Sequence, residues 1–239
     1  MTKTMLIIQD KGGVGKTLAA RGLAEVVPAA PLIEVDSSQR MLELGKRVKF
    51  FQTRADREAI ERTGGAAARA EFDPVIDAIA SATLPTIVDV GANTGACLLT
   101  VIADLREDFS GAGIEFGVLI VTTAEPGALA CVPKLLAIAE PFATTRFVIE
   151  NRVAGEVDPK VLSKIAAGAT VTCLMNQVLD EQAAAILQAG GLASIPKIDA
   201  KALHAKFGIA HGSRIRRDLT RARLDVMQSV RLPAEWLVA

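Results

Sequence analysis

The run Gln9-Asp-Lys-Gly-Gly-Val-Gly-Lys-Thr17 gathers the groups that hold a phosphorylated ligand. Consecutive glycines reach backbone conformations with positive φ and let main-chain N–H groups approach phosphate oxygens with no Cβ in the way. A helix starting at the end of the run adds its positive dipole end, so Gly12, Gly13, Val14, Gly15, Lys16, Thr17 and Leu18 form a candidate anion cradle. Lys16 can reach the β- and γ-phosphates of a triphosphate, and the Thr17 hydroxyl suits Mg²⁺. Read without context, the string is a glycine-rich turn with a chance Lys-Thr. A strand before it and a helix after it favour the phosphate-binding reading.

Two carboxylates could complete such a site. Asp36 follows the apolar run Pro31-Leu-Ile-Glu-Val35, and Asp89 interrupts Pro85-Thr-Ile-Val-Asp-Val90. Both runs read as strands that deliver an acid to the carboxyl edge of a sheet, where open α/β sheets bind ligands. Asp89 is then expected to hold the Mg²⁺ shell through water. Asp36 is either a catalytic carboxylate or a turn acid capping a helix. Asn151 follows Arg146-Phe-Val-Ile-Glu150, and its amide can donate and accept at once, as the edge of adenine does. The same residue type is also ordinary in a strand-end turn.

The elements that must position these groups alternate along the chain. Short apolar runs at Thr4–Ile8, Pro31–Val35, Pro85–Val90, Phe116–Thr122, Arg146–Ile149 and Val171–Leu174 read as strands. Helical spacing is expected over Leu18–Val27, Ala128–Ala139 and Asp180–Gln188, and over the charged stretch 40–80, broken at Gly64-Gly65. Repeated strand–helix alternation with continuous apolar strands implies an α/β class: a mainly parallel, twisted sheet with helices on both faces. No Pro/Gly/Ser-rich linker or internal repeat divides the 239 residues, so residues 1–239 read as a single domain.

Composition removes several other classes. Half the residues are hydrophobic and Lys plus Arg equals Asp plus Glu at 27 each, so the chain is globular and carries no global field for a polyanion. Three cysteines without a Cys-x-x-Cys pair exclude a disulfide scaffold and argue against a zinc or iron–sulfur site, and a reducing cytoplasm fits them. Aromatics at 4% disfavour a base-stacking RNA platform. No run is apolar for long enough to span a membrane. His204 and His211 lack clustered acids or cysteines and are treated as incidental. Charge is nonetheless unevenly placed: segment 197–231 holds nine basic residues against three acids. If helical, Arg214, Arg217 and Arg221 fall on one stripe with Arg216 and Arg223 nearby. Such a stripe either neutralises nucleic-acid phosphates or is a solvated face with i,i+4 pairs to Asp218 and Asp225.

The spelling Lys11-Gly-Gly-Val-Gly-Lys-Thr17, with Asp10 where an ordinary P-loop has its first glycine, resembles the deviant Walker A box of the ParA/MinD family of ATPases. The resemblance is convincing over residues 4–152. It implies a P-loop NTPase domain that binds ATP with Mg²⁺ and hydrolyses it slowly. It also implies that Lys11 reaches the nucleotide of a second subunit, so that ATP-bound protein is a homodimer; read without the family, Lys11 is an exposed loop lysine. A cation delivered in this way acts like an arginine finger, worth roughly 10³–10⁵ in rate. The family's Asp-x-Asp-Pro-Gln is here Glu34-Val-Asp-Ser-Ser-Gln39, with Asp36 orienting the attacking water. Gly91 resembles the glycine that senses the γ-phosphate, and Asn151-Arg152 the pair that meets adenine. The resemblance further implies that ATP-dependent dimerisation controls nonspecific DNA binding by the arginine stripe for segregating or positioning a plasmid or other cargo, with association with the bacterial nucleoid and a cargo-linked adaptor or activating protein as partner. Alternatives within the same group are a conjugal-transfer ATPase, a membrane-positioned regulator like MinD, and an ATP-dependent metabolic enzyme. The membrane alternative is disfavoured because Pro233 interrupts the tail that would supply an amphipathic helix.

Overall fold

Residues 1–53 and 66–239 are described by the structure, a computed structural model, with side chains described for all of these except 66–69. Seven strands form one sheet: β1 (Thr2–Ile8), β2 (Leu32–Asp36), β3 (Val48–Gln52), β4 (Thr86–Val90), β5 (Ile114–Thr122), β6 (Ala143–Asn151) and β7 (Thr170–Leu174). Their order is β3-β2-β4-β1-β5-β6-β7, and every pairing is parallel. Parallel neighbours need crossovers, and helices supply them: α1 (Lys16–Val26), α2 (Ala66–Ala80), α3 (Gly95–Asp104), α4 (Arg106–Gly111), α5 (Pro126–Ala139) and α6 (Pro159–Ile165). The chain finishes in α7 (Glu181–Ser194), α8 (Ala200–Phe207), α9 (Ile209–Ser229) and α10 (Arg231–Val238).

Alternate strand residues enter two cores. Met5, Ile7, Ile87, Leu119 and Val121 meet Leu23 of α1, Leu219 of α9 and Leu237 of α10. Leu6, Ile8, Val88, Val90 and Ile120 meet Ile79 of α2, Leu98 of α3 and Leu135 of α5 on the other face. Each such side chain, fully buried, contributes roughly 1.5–3 kcal/mol. Burial on both faces explains why these strands read as unbroken apolar runs.

The helical expectation for 40–80 is corrected in part. Leu42–Arg47 is a 3-10 turn, and Val48-Lys-Phe-Phe-Gln52 is an edge strand paired with β2 from Leu32↔Val48 to Asp36↔Gln52. Edge residues stay half-exposed, so no continuous apolar run announced β3, and the flanking Lys46, Arg47 and Lys49 made the stretch look like a charged helix face. The remaining expectation, including the break at Gly64-Gly65, lies outside the described residues over 54–65. Arg47 closes the C-terminal end of α1, donating to the carbonyls of Ala24, Val27 and Ala30 at 3.0–3.3 Å.

Pro233 interrupts nothing. It sits in the first turn of α10, where a missing N–H costs little, and it is buried with Ala234 and Leu237 against the sheet. Among the described residues no helix is long and apolar enough to cross a membrane.

Helix α9 lies close on α1 because residue 22 has no side chain. A Cβ there would stand 2.7 Å from Val226 Cγ1 and 3.3 Å from Val230 Cγ2. Glycine-to-alanine in a helix interior ordinarily stabilises by about 1 kcal/mol. Gly22→Ala should do the opposite here, lowering the denaturant midpoint by an equivalent of about 1–3 kcal/mol through overpacking.

Candidate phosphate and nucleotide site

The glycine-rich loop joins β1 to α1 at the carboxyl edge of the sheet, beside the point where the chain turns from strands on one side of β1 to strands on the other. Gly13 (φ 79°) and Gly15 (φ 99°) hold left-handed conformations that curl the loop, and Gly15 precedes the first helical residue, Lys16. The backbone N–H groups of Gly12–Gly15 find no protein acceptor among the described residues. Those at the start of α1 have no intrahelical acceptor either, as at any helix start. The result is a cluster of donors backed by the helix dipole.

Three polar side chains fix this loop, and all three link distant elements. Gln9, fully buried, donates to the carbonyls of Val121 (3.2 Å) and Ala128 (3.1 Å) and accepts from the Lys11 N–H (3.3 Å). Asp10 accepts from the Ala96 N–H at 3.2 Å, capping α3 from outside, while its carbonyl takes the Asn93 N–H at 3.0 Å. This gives the departure from the usual first glycine a structural role: the carboxylate ties the loop to the segment after β4. Asn151 donates through Nδ2 to the Val14 carbonyl at 2.9 Å. A Cβ at residue 15 would meet that Nδ2 at 2.6 Å.

Lys16, Thr17 and Asp89 come together under the loop. The Thr17 hydroxyl donates to Asp89 Oδ2 at 2.8 Å. Asp89 Oδ1 is buried and has no partner. Burial pushes the Asp89 carboxyl up to about 6, against the pull of the Thr17 hydrogen bond and the Lys16 charge. Lys16 is 8% exposed and donates weakly to the Lys11 carbonyl at 3.4 Å. Desolvation holds its pKa below the usual lysine range, and Asp89, Asp36 and Asp10 partly offset that. A hydroxyl beside a carboxylate with one orphaned oxygen fits a hard divalent cation such as Mg²⁺, which takes oxygen ligands and keeps several waters. Among the described residues no group of three or more His, Cys, Asp or Glu could hold a metal by itself.

Glu34 pairs in register with Asp89 across β2 and β4, so it faces the same side of the sheet. It is fully buried and accepts the backbone N–H groups of Arg40 (2.7 Å) and Met41 (3.5 Å), and burial raises its pKa. It thereby shapes the loop that carries Asp36, a role the sequence did not reveal. Asp36 accepts from the Ser37 N–H at 2.6 Å and pairs with Arg40 at 3.1 Å. It stands against Gly91, where a Cβ would lie 2.9 Å from Asp36 Cγ. Gln39 is exposed.

Several of the expected residues have partners within the protein. The Gly91 N–H donates to the Val35 carbonyl at 2.6 Å and continues the sheet. Asn151 uses both ends of its amide within the protein, since Oδ1 also accepts from the Val153 N–H at 3.3 Å. Arg152 is held between Glu150 (3.0 Å) and Glu156, which raises its pKa. Arg223 pairs with Glu25 of α1 at 2.5 Å and belongs to the α1–α9 contact, not to the exposed stripe. His204 meets Ser213 at 3.0 Å and His211 meets Asp180 at 3.1 Å.

Arg214, Arg216, Arg217 and Arg221 are all exposed on α9. None has an ion-pair partner among the described residues, and Asp225 bonds Gln177 instead of Arg221. A shallow groove of about 490 Å³ runs along Arg216, Arg217 and Arg221. Lys11 turns outward from the loop, its Nζ 3.5 Å from Glu125 at the start of α5, with both side chains about half exposed.

No protein-family model matches the chain, and neither does any curated protein. Among solved structures it is similar to apo McdA from Cyanothece (14% identity, TM-score 0.48, 93% of this chain and 99% of that one). A McdA variant in complex with ATP matches at 14% identity and a TM-score of 0.47, over 92% and 96% of the two chains. The MinD cell division protein of Aquifex aeolicus matches at 15% identity and a TM-score of 0.48, over 92% and 96%. Likeness at this level describes overall layout and carries nothing about activity.

Asp89 yields a test of the site's electrostatics. Its pKa in the folded protein is about 6, above the ordinary 3.8. Between those values the folded state binds more proton than the unfolded one, so this residue's contribution falls as pH rises through that window and stays low above it. Asp89→Asn should therefore raise the denaturant midpoint of the ligand-free protein at pH 7.5, with the gain shrinking towards zero near pH 4. Equal gains at both pH values would rule out a buried, strained carboxylate.

Proposed function

We propose that the chain is a Mg²⁺-dependent ATPase of the ParA/MinD kind, with residues 1–239 acting as one domain whose ATP-bound form is a homodimer. The observation that carries this reading is the buried Lys16–Thr17–Asp89 cluster beneath a loop of unpaired main-chain donors. A triphosphate laid on Gly12–Leu18 receives those N–H groups, and its anionic oxygens offset the desolvation of Lys16. Thr17 and Asp89 would hold Mg²⁺, which would supply positive charge to offset that of the triphosphate. Asp36, at the neighbouring strand end, is the candidate to orient the attacking water.

Lys11 does not touch its own site through its side chain. It lies on Glu125 at the surface with its side chain about half exposed, which supports its role as a cation donated across a dimer. The exposed, unpaired Arg214, Arg216, Arg217 and Arg221 support phosphate-backbone contact with DNA as the output of the switch, with affinity falling steeply as salt rises. The inward packing of α10 speaks against a membrane-seated tail.

Two substitutions separate the parts. Lys16→Ala should abolish retention of ATP, read by equilibrium binding of a fluorescent analogue with Mg²⁺. Lys11→Ala should keep ATP binding within a few-fold and lose the ATP-dependent dimer, read by light scattering after size exclusion; an unchanged dimer would remove Lys11 from the interface. Replacing Arg217 and Arg221 together by Glu should lower DNA retention and flatten its salt dependence by about two ions' worth of slope. No loss of retention at low salt would exclude α9 as the DNA face.

A further inference from the structure

Asp10 belongs to the phosphate loop, yet its polar atoms serve the segment that joins β4 to α3. Oδ1 accepts the Ala96 N–H at 3.2 Å, and the Asp10 carbonyl accepts the Asn93 N–H at 3.0 Å. Thr94, at the start of α3, makes no capping bond to that helix, because its hydroxyl donates back to the Gly91 carbonyl at 2.9 Å. Asp10 therefore does for α3 what an N-cap side chain ordinarily does, from another part of the chain. Gly95 admits the carboxylate: a Cβ there would stand 2.9 Å from Asp10 Oδ1 and 2.5 Å from Ile8 Cγ2.

The segment so held runs between the groups that matter for the triphosphate. Gly91 lies against Asp36, where a Cβ would come 2.9 Å from Cγ, and Ala92 lies against the loop, its Cβ 3.7 Å from where one on Gly12 would stand. Asn93 then takes φ 65°, a left-handed conformation that persists only where its surroundings fix it. The Val35 carbonyl fixes the start of this strip through the Gly91 N–H, and Asp10 fixes its end. The loop itself keeps separate ties through Gln9 and Asn151.

We propose that Asp10 is a positioning residue for phosphoryl transfer: by holding residues 93–96 it sets the place of Gly91 and Ala92 against the phosphate loop and Asp36, and so governs the rate of ATP hydrolysis more than the affinity for ATP. This rests on the nucleotide reading above. In the reaction water attacks the γ-phosphorus and the bond from that phosphorus to the β–γ bridging oxygen breaks. ATP and water thereby become ADP, inorganic phosphate and one proton released to solvent. Affinity draws on the loop amides and Lys16, whose frame survives a change at residue 10. Rate depends in addition on where Asp36 sets the water, and a displacement of about 1 Å in such a constellation can cost roughly a hundredfold.

The test sets equilibrium binding of a fluorescent ATP analogue with Mg²⁺ beside the single-turnover rate of ATP hydrolysis, both on the full chain. Asp10→Ala should slow hydrolysis by about tenfold or more while affinity holds within a few-fold. Asp10→Asn, whose Oδ1 still accepts the Ala96 N–H, should keep the rate within a few-fold. Ala96→Pro removes the same bond from the other side, in a first helical turn that tolerates proline, and it leaves the loop sequence untouched. It serves as the second probe if Asp10→Ala does not fold, and combined with Asp10→Ala it should slow hydrolysis no further. In the ligand-free protein, amide hydrogen exchange over residues 91–98 should quicken in Asp10→Ala and not in Asp10→Asn. A wild-type rate or unchanged exchange in Asp10→Ala, an equal loss of affinity and rate, or a loss in Asp10→Asn as large as in Asp10→Ala overturns the assignment while leaving the nucleotide site standing. Wild type that retains ATP without hydrolysing it does the same. Wild type that does not retain ATP overturns the nucleotide site itself, and this inference with it.

Discussion

The arrangement around the first loop turns on a buried lysine and a buried aspartate held at the same strand edge without being allowed to neutralise each other fully. Thr17 takes one oxygen of Asp89, the other stays orphaned, and Lys16 is left with a single weak carbonyl contact. Burying such groups unpaired is expensive. The cost is tolerable where a ligand supplies the missing charge, since a triphosphate with its divalent cation satisfies both at once. Perturbed titration beside a cluster of unpaired amides is what the proposed nucleotide site rests on.

Holding that site open requires a rigid frame, and the frame is polar as well as apolar. Gln9, Asp10 and Asn151 tether the loop to β5 and α5, to the segment leading into α3, and to the end of β6. The loop thus cannot collapse onto Lys16 without breaking bonds to three separate elements. Glu34 does the same for the segment bearing Asp36, using two backbone amides. These side chains touch no reacting atom, yet they set the distances on which binding and any later chemistry depend.

Helix α9 works on two sides. Its inner face, with Ile215, Leu219 and Val226 buried, packs on α1, where Gly22 permits close approach and Glu25 fixes Arg223. Its outer face presents the remaining arginines without counter-ions. Because α1 begins at the phosphate loop, the helix that carries the exposed charge is braced directly against the helix that carries the site. Asp225, on the same helix, bonds Gln177 after β7.

The sequence by itself determined the parts that depend on local order. Strand runs buried on both faces, the glycine-rich turn before α1, and the placement of Asp36 and Asp89 at strand ends all follow from near-neighbour pattern. Edge strand β3 escaped because a half-exposed strand carries no unbroken apolar run, and Lys49 with the preceding Lys46 and Arg47 mimics a charged helix face. The tertiary structure alone decided which polar groups are spent. Asn151 and Arg152 had the right chemistry for a base, and Arg223 the right charge for a polyanion. Each was claimed by a partner distant in sequence or by a neighbouring turn: Val14, Glu150 and Glu25. A side chain's chemistry is written in its type, but whether it remains available depends on what the fold sets beside it, and a buried donor or acceptor takes the nearest partner whether or not that partner is close along the chain.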